Sequence, residues 1–165
     1  MNQEITQLLP LPSQDHALHG LYLNHNLRQY GGEYGRPFVF SNYVVSLDGR
    51  IAVPHPTRRG LTVPKAIANE RDWRLFQELL AQSDIILSSG RYLRDVADGR
   101  AQELLQVGDP EFADLRAYRE QQGLNPYPDI AIISRTLDFP VPGVLTVGGR
   151  KVLIFTDETA DSGFW

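Results

Sequence analysis

The feature that most constrains this chain is a set of short, nearly unbroken apolar runs, each of which ends in serine, threonine, aspartate or glycine. The first is Arg36-Pro-Phe-Val-Phe-Ser-Asn-Tyr-Val-Val-Ser-Leu-Asp-Gly-Arg50. From 38 to 45 its β-branched and aromatic residues predict a strand covered on both faces, with Pro37 placed before the run where its missing N–H does least harm. Ser46, Asp48 and Gly49 crowd the carboxyl end. Ligands of open α/β sheets bind outside the carboxyl ends of strands, so these residues form a candidate site. Asp-Gly is also a very common turn dipeptide, and the local residues alone favour a simple turn.

Three further runs follow. Ser83-Asp-Ile-Ile-Leu-Ser-Ser-Gly90, Asp129-Ile-Ala-Ile-Ile-Ser134 and Lys151-Val-Leu-Ile-Phe-Thr-Asp157 each predict a buried strand. Between the first two runs, a helix is expected to open at Val63-Pro64. Its apolar stripe is Ile67, Trp73, Phe76, Leu79 and Leu80, with Trp73 in the core and Arg71, Asp72, Arg74, Gln77 and Glu78 covering the other side. Strand, helix, strand implies a parallel crossover, which sets Ser88, Ser89 and Gly90 on the same edge as Ser46 and Asp48. If Gly90 opens a helix through Asp95, the N–H groups at its start can cradle an anion such as a dinucleotide pyrophosphate, although a serine-glycine turn after a strand is also common for purely structural reasons. Asp109-Pro110 marks another helix start, with Phe112, Leu115 and Tyr118 on one face and Gly123 as the stop.

Composition narrows the function classes. At 165 residues with 42% hydrophobic and 22% charged residues, the chain is one ordinary globular domain, or part of one. A net charge of −4 with scattered Lys and Arg argues against nucleic acid as partner. The absence of cysteine removes disulfides, thiol nucleophiles and Cys-based zinc sites, and fits a cytoplasmic location. No apolar run approaches the ~20 residues of a membrane span, and no secretion signal is read at the start. Residues 1–36 read as a leader packed on or flanking a domain at 37–165. His16, His19, His25 and His55 lack the spacing of a zinc site, so no metal is expected. The loop 53–62 carries Arg58 and Arg59, a pair suited to phosphate or simply solvated.

Taken in order, Ser46-Leu-Asp-Gly-Arg50, Gly60-Leu-Thr-Val-Pro64, Ala81-Gln-Ser-Asp-Ile-Ile-Leu87 and Ile130-Ala-Ile-Ile-Ser134 resemble the dihydrofolate-reductase-like reductase domain of riboflavin biosynthesis. In that family the domain is the carboxyl-terminal half of a bifunctional deaminase-reductase. The resemblance implies a three-layer αβα architecture with a mostly parallel central sheet. It also implies NADPH-dependent reduction of a pyrimidine carrying a phosphoribosylamino group; a homodimer is expected because an incomplete domain leaves a sheet edge and apolar surface uncovered. Carried over position by position, Val44, Gly60, Thr62 and Ser134 lie along NADPH, together with Ser88, Ser89, Gly90 and Tyr92 after the second strand. Ser46, Asp48 and Arg58 fall on the substrate side, Asp48 either contacting ligand or fixing the turn. No catalytic acid or base is assigned, because the hydride chemistry belongs to the nicotinamide.

The chain also departs from the family pattern. Leu79-Leu80-Ala81 replaces a Leu-Arg-Ala whose arginine faces the substrate phosphate; Tyr92 stands where a cofactor-contacting threonine is expected, and Asp95 lies one place from the usual acid. The family's later strands and its Glu-Gly-Gly-type loop have no counterpart, so an incomplete domain is expected, without the zinc deaminase. Two other readings are a non-catalytic nucleotide-binding or interaction module and a reductase of another heterocycle.

Overall fold

The computed structural model describes residues 4–57, 61–64 and 66–158. The chain divides into two compact units, one reaching to Leu79 and the other starting at Leu80. Three separate sheets are present among the described residues, two of them antiparallel pairs in the first unit.

The first unit opens with a hairpin. β1 (Glu4–Gln7) pairs with β2 (Gln14–Ala17), and the Thr6 hydroxyl donates to the Asp15 carboxylate at 2.6 Å across the ladder. The short helix α1 (Arg28–Tyr34) buries none of its residues. The predicted strand at 38–45 carries no ladder: its backbone is irregular, and Phe38, Val39, Tyr43 and Val45 are exposed, Val39 by 72%. Its aromatic residues instead meet one another and α1, with Phe38 5.0 Å from Tyr30 and 6.4 Å from Phe40. A strand needs a neighbour to take its N–H and C=O groups, and residue type alone cannot supply one. β3 (Val53–Pro54) and β4 (Leu61–Thr62) form a two-residue antiparallel pair, Val53 opposite Thr62.

Helix α2 (Glu70–Ala81) begins later than its sequence suggests. Pro64 sits in a preceding turn, where its carbonyl accepts from the Ile67 and Ala68 N–H groups. Asn69 supplies the start, its side-chain oxygen accepting from Arg71 and Asp72 at 3.0 and 3.2 Å. The burial of α2 follows the expected one at Leu79 and Leu80, which are buried, and departs from it one and two turns earlier. Arg74, Gln77 and Glu78 are buried, whereas Trp73 and Phe76 are half-exposed and stack with ring centres 5.5 Å apart. The reason is a polar anchor. The Glu78 carboxylate accepts from the N–H groups of Gly20, Tyr22 and Leu23 at 2.6, 2.8 and 3.3 Å, and Arg74 Nε donates to it at 3.1 Å. A wholly buried carboxylate is tolerable only with such partners.

The second unit is built on the three-stranded parallel sheet β5 (Ile85–Ser89), β6 (Asp129–Ile133) and β7 (Val152–Phe155), in that order. In register, Ile86 faces Ile130 and Ile130 faces Val152; two residues on, Ser88 faces Ile132 and Ile132 faces Ile154. These positions share one face by the two-residue period of a strand. Helix α3 (Gly90–Ala97) contributes Leu93 to this face and the turn Gly143–Thr146 contributes Leu145, closing a core with Ile130 and Ile132 to which Tyr92, Phe139 and Val141 add. The alternate face carries Ile85, Leu87, Ile133, Leu153 and Phe155, all exposed, Ile133 by 62%.

Helix α4 (Ala113–Gln121) follows a turn that Asp109 caps through the Glu111 N–H at 2.9 Å. From α4, the buried Arg119 donates to the carbonyls of Ala81 and Ser83, each at 2.9 Å, and to that of Asn125 at 2.7 Å. It thereby neutralises the carboxyl end of α2 and fixes the entry to β5.

Candidate functional site

In the second unit the candidate residues gather at the carboxyl edge of β5 and β6. Ser88 and Ser89 are the last two residues of β5, and Gly90 is the first of α3. Ser89 is opposite Ile133, so Ser134 follows at the neighbouring strand end, where its N–H donates to the Phe155 carbonyl at 3.0 Å. A side chain on Gly90 would come within 3.2 Å of Ser134 Oγ and within 2.6 Å of the Phe139 ring. Glycine is therefore required here by the packing of Phe139. That contact spans 49 residues of sequence, and no local signal announces it.

Ser89 has extended backbone at the cap position of α3 and makes no capping hydrogen bond, and the first turn of α3 contains no acidic residue. A helix start in this condition offers its N–H groups, and the positive end of its dipole, to an external anion. Strand order β5-β6-β7 runs in one direction. Among the described strands there is thus no reversal point of the kind at which doubly wound sheets open a crevice.

Tyr92 lies on the first turn of α3 but looks toward the core, its hydroxyl donating to the Gln102 carbonyl at 3.2 Å. Burial, reinforced by the nearby Glu103 charge, pushes its phenol up to about 12. Glu103 is held by a bidentate pair with the buried Arg150 at 2.6 and 3.0 Å, and that guanidinium lies 4.8 Å from the centre of the Tyr127 ring. Further along α3, hydrogen bonding from Arg100 holds the Asp95 carboxyl below the usual range, with Arg91 adding to the effect. Arg91, Tyr92 and Asp95 thus belong to structural pairs as well as to the candidate edge.

In the first unit, Ser46 to Arg50 is a closed turn. The Gly49 N–H donates to the Ser46 carbonyl at 2.8 Å, with Gly49 in the left-handed region at φ +81. Ser46 Oγ donates to Asp48 and accepts from the Arg50 N–H at 3.1 Å, and Asp48 pairs with Arg50 at 3.1 Å. Both hydrogen-bonding side chains are engaged within the turn. Val44 is half-buried in the irregular segment before it, and Thr62 ends β4. Arg58 and Gly60 lie outside the described residues. The expected shared edge for Ser46, Asp48, Ser88 and Ser89 rested on a parallel crossover out of 38–45, and that strand is not formed.

Among the described residues no group of three or more His, Asp or Glu side chains is placed to hold a metal ion, and no helix is long and apolar enough to cross a membrane. Compared with protein-family models, characterised proteins and solved structures, the chain matches none.

Proposed function

We propose that the chain binds NADPH with the cofactor's phosphates at the start of α3, and that it reduces a pyrimidine intermediate like that of riboflavin biosynthesis. The proposal carries with it the three-layer dihydrofolate-reductase-like architecture. The observation that supports it best is the uncapped, acid-free amino end of α3, set at the end of a parallel strand beside Ser134. Ser88, Ser89 and Ser134 offer hydroxyls of the kind that hold phosphate and ribose oxygens. The chemistry the cofactor supplies is hydride transfer; the chain's own part is to bind, orient and exclude water. Asp48 then acts as a positioning residue, holding Ser46 and Arg50 in one turn.

The engagement of Ser46 and Asp48 with their own turn favours a second reading, a nucleotide-binding module without turnover. NADPH titration followed by cofactor fluorescence, with NADH as the comparison, tests binding; loss of nicotinamide absorbance on adding the phosphoribosylamino-uracil intermediate tests reduction. Saturable NADPH binding is expected. Ser89→Asp should cap α3 and leave the protein at least as stable, while its charge expels the phosphates and weakens binding about tenfold or more. Unchanged binding by that variant would remove the α3 site, and binding without oxidation would select the module.

A further inference from the structure

Beside the strand edge, the second unit contains a cavity of about 410 Å³ between the last turns of α3 and the 137–140 loop, lined among others by Arg94, Asp98, Leu137, Asp138, Phe139 and Pro140. Its size is in the range of small-molecule sites. We propose that this groove binds a small zwitterion with an apolar body, of the class of apolar α-amino acids.

Arg94 Nη1 donates to the Asp138 carbonyl at 2.6 Å, and this is the hydrogen bond its guanidinium makes among the described residues. The remaining N–H groups keep the fork that receives a carboxylate. Asp98 is neutralised by Arg100 at 2.5 Å, whereas the Asp138 carboxylate has no hydrogen bond or ion pair among the described residues. One open cation and one open anion thus flank an apolar wall of Leu137, Phe139 and Pro140. A plain anion would meet Asp138, and a plain cation would meet Arg94. A zwitterion satisfies both.

The loop is held in a shape that costs energy. Leu137 has φ +54, unusual for a bulky residue, and the Phe139 N–H donates to the Leu137 carbonyl at 3.0 Å to close a tight turn around Asp138. Such backbone persists where surroundings over-determine it, and it concentrates at binding sites. Leu137, only 7% exposed, is also a wall of a second cavity of about 280 Å³ with Val152, Ile154 and Thr156.

The test is titration of the full chain with L-phenylalanine, without NADPH, followed through the backbone amide shifts of residues 94–98 and 137–139. Phenylpropionate, which lacks the amine, and phenethylamine, which lacks the carboxylate, are the comparison probes. Saturable shifts with phenylalanine are expected, each analogue binding about tenfold more weakly. Asp138→Asn should weaken phenylalanine and tighten phenylpropionate, whose carboxylate no longer meets a like charge; Arg94→Gln should weaken phenylalanine and tighten phenethylamine for the same reason. Should Arg94→Gln unfold the loop it holds, Asp138→Asn decides alone, since that side chain anchors nothing. A folded chain without saturable shifts, variants that bind phenylalanine as the parent does, or phenylpropionate binding as tightly as phenylalanine would each overturn the proposal.

Discussion

In the first unit the residues buried along α2 are Arg74, Gln77 and Glu78, and Leu18 and Leu79 are the buried apolar side chains among its described residues. The second unit instead encloses Leu93, Leu105, Leu115, Ile130, Ile132 and Leu145, all at 0% exposure. The difference lies in apolar volume, since the second unit also buries Gln82, Ser83, Arg119 and Arg150. Apolar burial is non-directional and contributes roughly 1.5–3 kcal/mol per large side chain, so it tolerates small shifts. A buried carboxylate with three N–H partners adds little net stability over an apolar substitute, yet it fixes one geometry and cannot lose a partner cheaply. The first unit is therefore specified mainly by a few directional bonds, whereas the second adds a large apolar volume to the directional bonds of its buried Arg119 and Arg150.

The largest expected effect follows from that contrast. Glu78→Ala leaves the Arg74 guanidinium and the Gly20, Tyr22 and Leu23 N–H groups without their shared acceptor, and should cost about 3–5 kcal/mol in denaturant unfolding. Amide exchange should show the loss confined to the first unit. A cost under about 1 kcal/mol would break the comparison, because the polar anchor would then be incidental.

Leu93→Ala tests the other side. It removes a wholly buried side chain from the sheet core and should cost about 2–5 kcal/mol, read by the same unfolding experiment and localised by exchange to the second unit.

Gly90→Ala sharpens the picture at the candidate edge. The new methyl group meets the Phe139 ring at 2.6 Å and should cost about 1–3 kcal/mol. Phe139→Leu should recover part of that loss in the double variant. Additive losses would show that the ring already yields and that Gly90 is kept for another reason.

The smallest effect is a dependence on pH. The Tyr92 phenol is raised in the folded chain, so the folded state holds the proton more tightly than the unfolded one. The stability from this source is complete below the ordinary tyrosine range near pH ~10 and falls as pH climbs toward about 12. The partial exposure of the ring screens and reduces it. Tyr92→Phe should flatten the alkaline fall in stability of the second unit; an unchanged slope would assign that fall to other groups.

Much of the second unit was legible from sequence. The bursts at 85–89, 129–133 and 152–155, the Asp109 cap and the helix opening at Gly90 are each set by neighbours a few residues away. Residues 38–45 are as rich in strand-forming residues as those strands and are not one, because pairing depends on a partner that residue type does not name. The stripe on α2 identified a helix and the burial of Leu79 and Leu80 but not that of Arg74, Gln77 and Glu78, since the Gly20 to Leu23 turn that draws Glu78 inward lies more than 50 residues away.

The candidate site divides in the same way. By itself the sequence determined the strand ends with their serines, and the Ser46 to Arg50 turn, whose bonds all close within five residues. The tertiary structure alone decided that Phe139 sits over Gly90, that Arg94 grips the Asp138 carbonyl and that Leu137 is held in a left-handed turn. The physical reason is range. Propensity, capping and turn closure act over one or two turns of chain, whereas packing and the pairing of buried charge join residues that the sequence leaves far apart.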